Sequence, residues 1–152
     1  MQSGGEIDFD ELDAALQSAR ALSTCLFRKV MWGFERLDAF RQSGRTIALD
    51  ELAEAGAWTD ATLNLLALEL PQWTIRRLFH EDENWLCTLS RQPNLPIALD
   101  DPVEAVHAAL PLAILRALIE ARRRLSMEAG PAVRIPEVRQ TSGIILCCDN
   151  FV

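Results

Sequence analysis

Few side chains in this sequence stand at spacings that chemistry would use. Glu104-Ala105-Val106-His107 has the Glu-x-x-His spacing of carboxylate di-iron bundles, in which both side chains project from one helix face. Such a centre needs a second pair and two further glutamates, and the other histidine, His80, lacks that spacing, so His107 reads as a helix-surface or partly buried residue. His80-Glu81-Asp82-Glu83 offers oxygen ligands suited to a hard cation, but a solvated acidic hairpin turn is the far commoner use of such a run. Cys147-Cys148 could take a soft metal or oxidise, yet two neighbours supply too few ligands for a site. There is no Gly-x-Ser-x-Gly, no cysteine patterned with a histidine and no glycine-rich phosphate loop. No catalytic residue, no cofactor and no metal ligand is therefore expected.

The elements that must position these residues centre on Trp73 to Arg91. Trp73 and Ile75, then Trp85, Cys87 and Leu89, recur at period two, which predicts two strands with one apolar face each. His80 to Asn84 forms the polar turn between them. Arg77 breaks the alternation, which predicts a bulge near Arg76 to Leu78 or a partly exposed edge. A hairpin alone is marginal in water and needs a helix on its apolar face. Helical patterns flank it, one from a Thr59 cap to Leu70, the other from Pro111 to Leu125. Upstream, Ala48 to Ala55 reads as a short helix stopped by Gly56. Asp101-Pro102-Val103-Glu104 reads as a further helix start, with Asp at the cap and Pro at the first helical position.

From Phe9 to Phe40 apolar and small residues step by threes and fours, including Leu16, Leu26, Val30, Leu37 and Phe40. As one helix this segment would run on the order of 50 Å, longer than a small domain is wide. A break near Ser23-Thr24 would instead give two helices folded on each other. The seam is the expected surface for homo-oligomerisation, set against ordinary cover for the chain's own core. Residues 1–8 read as a loose end, 9–43 as the helical segment, 46–125 as a small α+β domain and 126–152 as an extended tail.

Composition bounds the partners. The formal net charge is −7; residues 46–115 hold three Arg against eleven acids, and residues 116–152 six Arg against four acids. An acidic chain repels phosphate backbones, so nucleic acid is disfavoured unless arginines gather on one face, for which Arg116, Arg122, Arg123 and Arg124 are the candidate edge. No apolar run approaches a membrane span and no secretory signal opens the chain, so a soluble cytoplasmic protein is expected, with no membrane partner. The tail run Gly143 to Val152, with Ile145 and Phe151, is apolar enough to return and pair with the hairpin's free edge, completing the core, or to meet a protein partner.

Thr59-Asp60-Ala61 opening a helix, Trp73 and Trp85 in the hairpin, and Pro111-Leu112-Ala113-Ile114-Leu115-Arg116-Ala117-Leu118 opening the last helix together resemble the small phage-derived ABA sandwich domain, over about residues 59–121. The resemblance implies a helix, a small antiparallel sheet and a second helix in layers, and a phage or mobile-element ancestry. It implies no activity and no site residues. The chain departs from the pattern at residues 92–110, where the family has a third strand. The fold expected is α+β, mostly helical, with a small antiparallel hairpin sheet packed against helices. The function expected is a non-catalytic interaction or structural module, with a nucleic-acid accessory protein and an enzyme of hidden site as alternatives.

Overall fold

A computed structural model describes residues 8–34, 43–44 and 46–129. The described residues form five helices and one sheet: α1 (Phe9–Ser18), α2 (Thr24–Trp32), α3 (Ile47–Glu54), α4 (Trp58–Glu69), β1 (Thr74–Glu81), β2 (Asn84–Ser90), β3 (Val103–His107) and α5 (Leu110–Glu128). This is the α+β, mostly helical fold expected. Strand order is β1-β2-β3, all antiparallel.

The long N-terminal seam divides into two helices. Asp8 caps α1, its carboxylate accepting from the amides of Asp10 and Glu11 at 3.0 and 3.1 Å, and Ser23 caps α2 by accepting from Leu26 N–H. The chain turns extended at Ala19 and re-enters helix after Ser23. Bending there lets Leu12 and Leu16 of α1 and Phe27 and Val30 of α2 all bury in one core, which a straight rod could not do. The helix opening at Thr59 in the sequence reading begins earlier. Ala57 is the cap residue, and Thr59 lies within the first turn with its carbonyl accepting from Thr62 Oγ1 at 2.9 Å. Trp58 packs its ring 5.6 Å from that of Phe27, a contact that holds the indole at the very start of α4.

The hairpin follows the sequence reading, and its register shifts between Ile75 and Arg77, where the bulge was expected. Glu81 pairs with Asn84, so the turn is only Asp82-Glu83, both at positive φ (51° and 65°), the backbone of a two-residue primed turn. The largest correction falls at residues 101–107. The helix start expected at Asp101-Pro102 is instead the lead into β3, and Val103, Ala105 and His107 are buried while Glu104 and Val106 are exposed. That strict alternation, with a partner strand at hand in β2, outweighs the local capping signal.

Helix α5 lies on the face of the sheet formed by Cys87, Leu89, Val103 and Ala105, with α1 and α4 packed on its other sides. Eight of its residues between Leu112 and Ala121, including Ile114, Leu115 and Ala117, have essentially no exposed surface. Pro111 sits in the first turn of α5, where its missing N–H leaves nothing unsatisfied, and so starts the helix. The helix runs on to Glu128, so residues 126–128 belong to it and not to a tail.

Candidate functional site

The four arginines of the candidate basic edge all lie on α5, and each meets a carboxylate of another element or of the helix itself. Arg116 Nε and Nη2 donate to Asp13 of α1 at 2.9 and 3.3 Å. Arg122 stands 3.5 Å from the buried Glu69 of α4 and over the Phe34 ring. Arg123 pairs with Asp10 at 2.7 Å and Glu120 at 3.1 Å. Arg124 pairs with Asp101 at 2.8 Å. At 100° per residue, positions 122, 123 and 124 point in three directions. The arginines are thus spread around the helix as separate ties to α1, α4 and the loop before β3, each with its charge offset locally.

Two of these guanidiniums do a second thing. Backbone N–H and C=O groups along an antiparallel strand point alternately toward its neighbour and away from it. On β3 the residues facing outward are Glu104 and Val106, with Pro102 just before the strand in the same phase. Arg116 Nη1 donates to Val106 O at 2.6 Å, and Arg124 Nη1 donates to Pro102 O at 3.3 Å and Asp101 O at 3.0 Å. The β3 edge is therefore capped near both ends by side chains from α5, which blunts it as a template for another strand.

Among the described residues the opposite edge has no such cover. β1 packs on β2 and draws no comparable contact from any helix. The two-residue turn fixes its phase: Glu81, Phe79 and Arg77 turn their peptide groups to β2, leaving those of Leu78 and His80 facing outward. Leu78 is 39% exposed. On the sheet face away from α5, Phe79, Leu86 and Val106 stand in one row across the three strands, all partly or fully exposed. Arg77 lies 5.4 Å from the Phe79 ring on that face.

The bulge residue Arg76 turns to the loop after β2. It donates to Asp100 Oδ2 at 2.8 Å and to Leu95 O at 2.7 Å, while Ser90 Oγ donates to both oxygens of Asp100 at 2.8 and 2.7 Å. This nearly buried Ser-Asp-Arg cluster clamps the proline-rich connection and holds Ile97 and Leu99 out in solvent. Close by, Arg91 and Glu128 form a bidentate pair at 2.9 and 2.8 Å. The hydrogen bonds from Arg91 hold the Glu128 carboxyl below the usual carboxylate range and raise the Arg91 guanidinium above its own.

Both histidines fall in one cross-strand row, His80-Trp85-His107, with the rings of His80 and Trp85 5.0 Å apart. His107 Nδ1 accepts from the N–H of Ala109, the residue just before α5, at 2.8 Å. It also borders an open cavity of about 490 Å³ between the ends of α1 and α5, beside Arg20 and Asn84. Glu104 and His107 stand on opposite faces of a strand, exposed and buried respectively, so they do not form the Glu-x-x-His face that a helix would give. Glu81, Asp82 and Glu83 are exposed in the hairpin turn. Among the described residues no group of three or more His, Cys, Asp and Glu is placed to hold a metal ion. Cys87 is fully buried, and desolvation pushes its thiol up to about 12, whereas Cys25 is exposed.

Of the expected interaction surface, Leu16 and Val30 have no exposed area and Leu26 is partly buried against the same core. These side chains are engaged within the chain. Leu37, Phe40, Ile145 and Phe151 lie outside the described residues, as do Cys147 and Cys148. Among the described residues no helix is long and apolar enough to cross a membrane. No family model matches the chain, and no curated protein and no solved structure matches it significantly.

Proposed function

We propose that this chain is a non-catalytic interaction module that offers the β1 edge of its sheet to a protein strand. The observation that carries the reading is the asymmetry of the sheet: α5 arginines bond the outward carbonyls of Val106 on β3 and of Pro102 just before it, while among the described residues no side chain does the same for Leu78 and His80 of β1. The remaining polar chemistry supports it, because the arginines of α5 and the Ser90-Asp100-Arg76 cluster act as ties between elements. A phage or mobile-element ancestry, which the resemblance to ABA sandwich domains implies, belongs to the same proposal.

A photo-crosslinking amino acid at position 78, incorporated in the full chain in cells, is expected to give protein adducts, and the same group at position 104 on the capped edge is not. Equal labelling at both positions, or none at 78, would refute the proposal.

A further inference from the structure

The β1 edge carries a pattern that is complementary to itself. Arg77, Phe79 and Glu81 alternate along the strand on the sheet face away from α5, a cation and an anion placed symmetrically about an aromatic ring. In an antiparallel pairing of two such strands about a two-fold axis at Phe79, residue 77 of one copy falls opposite residue 81 of the other. Both Arg77-Glu81 pairs then form at once and the two Phe79 rings meet at the axis. The phase of the backbone agrees. Because Phe79 turns its peptide groups to β2, the outward groups are those of Leu78 and His80, and these are the residues that pair with each other across the same axis. Phe79 then occupies a non-hydrogen-bonded pair, the kind in which facing side chains approach most closely.

We infer that β1 is an isologous interface at which a second copy of this chain adds its own β1, in the register Phe79 to Phe79, to make one continuous six-stranded sheet. Within the described fold no helix packs on β1 as α5 packs on β2 and β3, and among the described residues neither Arg77 nor Glu81 is in an ion pair. The isologous contact uses the β1 edge of both copies, so the pairing stops at two, and the remaining β3 edges are blunted by Arg116 on the Val106 carbonyl and Arg124 on that of Pro102. The Phe79-Leu86-Val106 row doubles into an apolar stripe across the dimer. This inference rests on reading the chain as an interaction module and names its partner.

Charge exchange provides the test. In sedimentation equilibrium of the full chain, the wild type is expected to dimerise. R77E and E81R alone each place like charges opposite one another twice and should weaken dimerisation by roughly tenfold or more. An equimolar mixture of R77E with E81R restores both pairs and should associate as a heterodimer, as should R77E/E81R in one chain with itself. Both positions are exposed, and circular dichroism checks that each variant keeps the wild-type spectrum. Phe79→Cys in a chain with Cys25, Cys147 and Cys148 changed to serine should oxidise to a disulfide-linked dimer. A wild type that stays monomeric at its highest soluble concentration, or a dimer indifferent to both charge changes, overturns the inference. Adducts from position 78 to a different protein would then leave the interaction-module reading standing, whereas absence of any adduct removes both.

Discussion

Asp100 shows how much one side chain holds in this fold. Its carboxylate is 2% exposed and receives Ser90 Oγ, Arg76 Nη1 and the Asp101 amide. Asp100→Ala would leave a guanidinium and a hydroxyl facing a gap, and should cost about 3 kcal/mol, read as a lower urea midpoint at unchanged slope. Glu128 is the contrasting case, in water and held by Arg91. Its carboxyl titrates below its unfolded value, so the stabilisation is complete above the ordinary Glu range and is lost as pH falls through the lower folded value. The gap in thermal midpoint between wild type and Glu128→Gln should therefore be widest near neutrality and close in acid. Cys87, with its thiol pushed up to about 12 by burial, should react with Ellman's reagent only as fast as the protein unfolds in a chain where it is the sole cysteine. A rate matching that of an exposed thiol would show the core face of β2 to be open.

At the scale of elements, the hairpin carries its own strain. Asp82 and Glu83 both take positive φ, a conformation in which a side chain with a Cβ costs energy that glycine does not. Glu83→Gly should stabilise the protein by about 1 kcal/mol, raising the thermal midpoint by several degrees if the turn is formed as described. An unchanged or lowered midpoint would argue against the primed turn, and with it the strand phase that turns Leu78 and His80 outward.

For the whole molecule, α5 is the element on which the others converge: the sheet on one side, α1 and α4 on the others, joined by buried side chains and by arginine ties. Ile114→Ala or Leu118→Ala, each with no exposed surface, should cost about 2–5 kcal/mol in chemical denaturation. A chain beginning at Thr46 would lose α1, and with it the burial of Leu12 and Leu16 and the Asp13 partner of Arg116. It should bind ANS and melt without a sharp transition, because the N-terminal helices complete the same core as the sheet.

What the sequence determined by itself was local: the hairpin from its period-two apolar positions, the bulge from Arg77 falling on the wrong face, α3 and the body of α4 and α5 from their stripes and their Gly and Pro boundaries. Tertiary structure decided the rest, for identifiable reasons. Residues 101–107 carry a sound helix-start signal, and only the presence of β2 alongside turned their alternation into a strand. Arg122 to Arg124 form a basic run in one dimension, yet helical geometry separates them and distant acids at positions 10, 69 and 101 take them up. The tie between Asp13 and Arg116 joins residues 103 positions apart, a separation no local pattern encodes. The difference between the two sheet edges has the same origin. Residues 101–107 did not read as a strand at all, and β3 is blunted because α5, folding back across the sheet, brings guanidiniums to the Val106 carbonyl and to that of Pro102 just before the strand, while no described helix packs on β1 to a comparable extent.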